Sequence, residues 1–252
     1  MLLVFMPMLM TGQVNELDQI NKQTTQGNQL VPDSLKSLIP ISKQSLLRDV
    51  DVIFNSRMAY NSDFVDGGHT LSAFNIDQLR LEIKGKIHDK VYFRFRDRYT
   101  RSQDPGDLDN ISRSVDLAFI SIDLSERTKF FFGKLCADWG GYEFDFNPID
   151  ILAYNDIIEY ADNFLVGAGI SHTLKDGKNS FTLQLLNSRN RTYESQYGAS
   201  APPDINPSEY PLAGVLNWRG SFFDGKWQTT YSYSFFNESQ GAHMNYFALG
   251  NK

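Results

Sequence analysis

The sequence predicts an all-β chain: an antiparallel, up-and-down transmembrane β-barrel with about ten strands present. Three observations lead there. Hydrophobicity alternates with period two from residue 48 almost to the end. The connections between alternating segments are by turns short and long, the mark of a barrel with short turns on one rim and long loops on the other. No stretch of the 252 residues is apolar for long enough to make a membrane-spanning helix, yet aromatics reach 13%, with 19 Phe and 12 Tyr.

The N-terminus comes first. Residues 1–12 read MLLVFMPMLMTG, a short apolar stretch ending in small residues, and are expected to be a signal-peptide remnant cleaved after Gly12. Residues 13–47 are polar and rich in Gln, Asn and Ser, with Pro32 and Pro40; they are expected to form a periplasmic linker with little fixed structure. The barrel is expected over 48–252.

Its first strand is expected within 50–60, where Val50, Val52, Phe54 and Met58 alternate with Asp51, Asn55 and Arg57. In 78–86 Leu79, Leu81 and Ile83 alternate with Arg80, Glu82 and Lys84; in 91–99 Val91, Phe93, Phe95 and Tyr99 alternate with Tyr92, Arg94, Arg96 and Arg98. Further strands are expected at about 114–124, 128–135, 165–174, 179–187, 211–219, 226–236 and 243–250. A short helical piece is expected only near 149–160. The first connection, 61–70, reads as long and the second, Ile87-His88-Asp89, as short. The third (101–113), fifth (136–164) and seventh (188–210) are long; the fourth, sixth and eighth are short, the sixth with an Asp176-Gly177 hairpin signal.

If the aromatic row faces lipid, the other row faces the lumen. Arg94, Arg96 and Arg98 then form a ladder about 13 Å tall. A three-residue turn would set Arg80 opposite Arg96 and Glu82 opposite Arg94, with Arg57 a further inward charge. Such a basic row in a water-filled pore attracts small anions. Asp97 lies in the lipid-facing phase, a misfit that a rim position, a subunit contact or a bulge would explain. Between Lys134 and Lys175 no Lys or Arg occurs, whereas Asp138, Glu143, Asp145 and Asp150 stand among Trp139, Tyr142, Phe144, Phe146, Tyr154 and Tyr160. A loop so aromatic is expected to fold into the barrel as a constriction, setting acidic groups opposite the arginines.

Other chemistries find little support. The net charge of −6 disfavours a nucleic-acid binder, and the single cysteine, Cys136, excludes an internal disulfide framework and Cys-rich metal sites. His69, His88, His172 and His243 lack metal-ligand spacing. Asp104, Asp107, Asp109 and Asn110 lack the EF-hand pattern and read as a polar external loop. Gly167-Ala168-Gly169 leads into a strand rather than a helix, so it is no dinucleotide site. Glu143 with Asp145 or Asp150 could be nominated as a glycosidase pair, but nothing fixes their separation. No enzyme activity, cofactor or metal is expected. The rival reading is a secreted soluble β-sandwich that binds carbohydrate.

The stretch FNIDQLRLEIKGKIHDKVYFRFRDRY at 74–99 resembles the early hairpin of the phosphate-selective porin O/P family. The stretch GKLCADWGGYEFDFNPIDILAYNDIIEY at 133–160 resembles the segment that follows the fifth strand in such porins, and the likeness covers roughly 45–250. The resemblance implies an outer-membrane barrel of about 16 strands, usually a homotrimer, with an arginine ladder and an inward third loop, passing small anionic solutes such as phosphate. Arg80, Arg94, Arg96 and Arg98 match its basic inner wall. The acidic loop is unlike a site built only for phosphate. About ten strands fit here, so the sequence reads as the N-terminal part of a longer porin in contact with outer-membrane lipid.

Overall fold

A computed structural model gives the structure, which describes residues 49–106, 108–146, 150–151, 154, 161–198, 201 and 204–252. The expected signal remnant and linker, and most of the helical piece near 149–160, lie outside the described residues. Ten strands follow in order: β1 (Val50–Val65), β2 (Gly68–His88), β3 (Val91–Arg98), β4 (Val115–Asp123), β5 (Thr128–Cys136), β6 (Phe164–Thr173), β7 (Asn179–Asn187), β8 (Leu212–Phe222), β9 (Trp227–Ser239) and β10 (Ala242–Asn251). Each pairs antiparallel with the next, in one sheet of order β1 to β10. A five-residue helix, α1 (Tyr193–Tyr197), is capped where the Ser195 amide donates to the Thr192 hydroxyl.

The two faces of the sheet invert the soluble pattern. On β7, Phe181, Leu183 and Leu185 are exposed, while Gln184 and Leu186 between and beyond them are buried. On β8 Leu212 and Leu216 are exposed and Ala213, Val215 and Asn217 buried; on β9 Trp227, Tyr233 and Phe235 are exposed and Thr230, Ser232 and Ser234 buried. Apolar residues outside and many polar ones inside suit a wall that meets lipid. One sheet, rather than two packed face to face, sets aside the β-sandwich.

The expected alternation of connection length holds from the second connection to the eighth. Tight links lie at 89–90, 124–127, 174–178 and 223–226, and long loops at 99–114, 137–163 and 188–211. The first connection is not the long loop expected. β1 and β2 run on to a two-residue turn at Asp66-Gly67, both at positive φ (49° and 80°), as the mirror-image hairpin turn requires. Asp-Gly signals that turn, and the polar residues before it belong to a hairpin of 16- and 21-residue strands. About 9–11 residues suffice to span a bilayer, so this hairpin projects past the rim.

The β2–β3 register also differs from expectation. Arg80 lies opposite Arg98, Glu82 opposite Arg96 and Lys84 opposite Arg94. A two-residue turn would by itself put the two charged rows on opposite faces, and a bulge between Lys86 and His88 restores their common face.

Loop residues supply much of the core. Ala137 and Trp139, from the 137–163 loop, are buried with Leu135, Leu165, Leu186, Ala213, Val215 and Phe236 on the inner face. Gly141 approaches Gly250 on β10, and Ile151 accepts a 3.4 Å hydrogen bond from Arg57 on β1. The loop thus reaches both end strands across the concave side of the sheet.

Candidate functional site

The candidate site is built on β2, β3 and β4, whose inward rows carry the charges. Arg94 Nε donates to Glu82 Oε1 at 2.9 Å. Glu82 faces Arg96 by register, so this is a diagonal cross-strand pair, made with the partner the sequence expected but from a different register. Arg98 holds Asp116 through two of its guanidinium nitrogens, Nη2 at 2.9 Å and Nε at 3.2 Å, and Arg96 Nε lies 3.2 Å from the same carboxylate. Arg101 Nη1 stands 3.9 Å away.

Asp116 owes its position to a bulge. Arg96 pairs with Leu117 and Asp97 with Val115, so Asp116 is the extra residue. A bulge turns two successive side chains to one face. Asp116 therefore joins Leu117 on the arginine side, fully buried. Asp97 stands beside that bulge, opposite Leu81 and Val115, and its Oδ1 is buried without a hydrogen-bond partner among the described residues. Asp116 was not among the expected site residues, although an acid inside an apolar strand facing three arginines is a legible signal.

Arg80 differs from its neighbours. It is 3% exposed, and its Nε and Nη1 have no hydrogen-bond partner among the described residues. It lines a cavity of about 140 Å³ together with the arginines of β3. Aromatic side chains share its lining: Phe144, Phe146 and Tyr154 from the loop and Phe164 from β6. The Phe144 and Tyr154 rings are 6.4 Å apart, and the Arg96 guanidinium lies 5.2 Å from the Phe164 ring centre. Cys136 also lines this cavity.

The loop is tied down by the polar inner row of β7 to β9. The Asp138 amide donates to Gln184 Oε1 at 2.7 Å, Asn217 Nδ2 donates to the Asp138 carbonyl at 2.9 Å, and the Gly140 amide donates to the Ser232 hydroxyl at 3.2 Å. Trp139 packs on Phe236, 5.2 Å between ring centres, and donates to Asn163 Oδ1 at 3.0 Å.

The loop acids do not form one surface opposite the arginine row. Asp145 accepts from Arg219 Nη1 at 2.8 Å, and Asp138 lies 3.4 Å from Arg219 Nη2. The first turn of the loop lies over β7 to β9, and Arg219 of β8 is the cation it meets there. Burial raises the Asp138 carboxyl above its ordinary value, and Arg219 opposes that rise. Glu143 does line the arginine cavity, while Asp150 is exposed. Arg57 lies 3.9 Å from Asp77 and donates to the loop at Ile151. Arg219 escaped the sequence reading because nothing local marks which strand a long loop will cross.

A second buried pair fastens the 99–114 loop, where Lys134 Nζ meets Asp109 at 2.9 Å with both side chains almost wholly buried. Asp109 is thus an ion-pair partner within the loop read as polar and external. Among the described residues no group of His, Cys, Asp and Glu could hold a metal ion.

No curated protein matches the chain. The family model described as phosphate-selective porin O and P matches residues 52–252. That match takes in every strand but the first two residues of β1, so the chain belongs to the phosphate-selective porin O and P family, a family of outer-membrane channels rather than of enzymes.

Proposed function

We propose that this protein forms a water-filled channel for passive diffusion of small anions, phosphate-like solutes among them. Arg57, Arg80, Arg94, Arg96 and Arg98 line its wall, and the 137–163 loop narrows it. The observation that carries this reading is the gathering of the arginines around one cavity against that loop, with Arg80 lacking a carboxylate partner among the described residues. Glu82 and Asp116 offset much of the charge on Arg94, Arg96 and Arg98. Selectivity then rests on the remaining positive surplus, to which Arg80 contributes a whole charge, and it should be moderate. Among the described acidic residues, Glu143 shares the cavity lining and tempers anion passage, whereas Asp145 holds the loop in position through Arg219.

Reversal potential across a planar bilayer under a salt gradient tests the proposal. The wild-type protein should favour anions, and Arg80→Gln should reduce that preference without disturbing an ion pair. Cation preference in the wild type, or an unchanged potential in the variant, would overturn it.

A further inference from the structure

Resting on the channel reading above, we infer that the cavity between the arginine row and the loop is a binding site for an organic anion whose charged head is carried on a flat apolar ring. Its two walls differ in chemistry. One carries Arg80, whose Nε and Nη1 have no hydrogen-bond partner among the described residues, so that its charge is left for an oxyanion in the cavity. Arg98 and Arg101 flank the same space and bring their charges toward Asp116, so the head group meets a positive surplus rather than isolated cations. The other wall offers ring faces. Phe144 and Tyr154 are neighbours there, and Phe146 is 56% exposed, a large apolar surface. A fully hydrated inorganic anion gains nothing from those rings, whereas a ring carried on the anion stacks on them and removes apolar surface from water. Glu143 on the same lining disfavours a second negative group at the aromatic end, which orients the ligand head to Arg80 and ring to the loop.

Isothermal titration of the full chain in detergent micelles, with phenyl phosphate, inorganic phosphate and phenol, tests this. Phenyl phosphate should bind about ten-fold tighter than inorganic phosphate, and phenol should bind far more weakly than either. Phe146→Ala removes an exposed ring, and Phe144→Leu keeps apolar bulk while losing the flat face. Each should bring phenyl phosphate toward the affinity of inorganic phosphate. Arg80→Gln should weaken both phosphates alike. Equal affinities for the two phosphates, a preference that survives both loop variants, or phenol binding as well as phenyl phosphate would overturn the inference. If the reversal potential still shows anion preference, those results remove the organic-anion site and leave the channel reading standing; a cation-preferring channel that binds neither phosphate removes both.

Discussion

Asp116 shows how one residue can set the electrostatics of a wall. It is fully buried and touches three guanidinium groups, so the basic ladder is a network of ion pairs rather than a column of charges separated by water. Removing one partner of a buried pair leaves an uncompensated charge and costs about 3–5 kcal/mol. Asp116→Asn should therefore lower stability by that order in denaturant unfolding and raise anion preference in the bilayer. Adding Arg98→Gln should recover part of the stability, since it removes a cation that the first change stranded. Asp138 gives a prediction with a definite sign. Its carboxyl is raised by burial when the loop is docked, so the docked form holds its proton more firmly than the free loop does. Its contribution to docking is therefore full below the ordinary carboxylate value and is lost as pH rises through the raised value. Hydrogen-exchange protection of residues 138–141, followed from about pH 3 to 7, should fall with that rise, and Asp138→Asn should flatten the curve.

At the scale of elements, the 137–163 loop is held chiefly through Trp139, which is buried against Phe236 and hydrogen-bonded to Asn163. Replacing a buried Trp by Ala costs about 3–5 kcal/mol, and here the loss falls on loop docking. Trp139→Ala should speed proteolysis within 139–146 while the strands stay resistant. In the wild type, cleavage there should be slower than within 188–210; faster cleavage would show that the loop is free. The bulges act at the same scale. One extra residue at Asp116, and one between Lys86 and His88, decide which side chains face inward over the following strands. Gly133 is a third local device: its φ is +125°, and a Cβ there would collide with the Ala118 carbonyl, so the close approach of β4 and β5 requires glycine.

For the molecule as a whole, the question is how the sheet sits in lipid. β1 and β10 each pair on one side only among the described residues. An unpaired backbone polar group in hydrocarbon costs several kcal/mol, so in a bilayer both edges must be paired. Hydrogen exchange in lipid should show the edge amides of β1 and β10 as slow as those of β5. Fast exchange confined to those two strands would mean that the sheet does not lie in hydrocarbon. The projecting hairpin tip, Asn61 to Ala73, should exchange fast in either case, because it stands beyond the bilayer.

The sequence by itself determined the strand count, the order of the strands and the common face of Arg80, Arg94, Arg96 and Arg98, because alternation is local and each strand in an up-and-down sheet meets its neighbour in sequence. It carried an Asp66-Gly67 turn signal too, masked by the polar residues around it. Only the tertiary structure decided the β2–β3 register, since a bulge leaves hydrophobic alternation almost unchanged while moving every opposite pair. Only the tertiary structure sent Asp138 and Asp145 to Arg219 and left Glu143 with the arginines, because the path of a 27-residue loop across a curved sheet depends on long-range packing, above all on Trp139 finding Phe236. Charge and aromatic content marked the loop as one that packs, but its partners lie 46 to 92 residues away in the chain, beyond the reach of any local pattern.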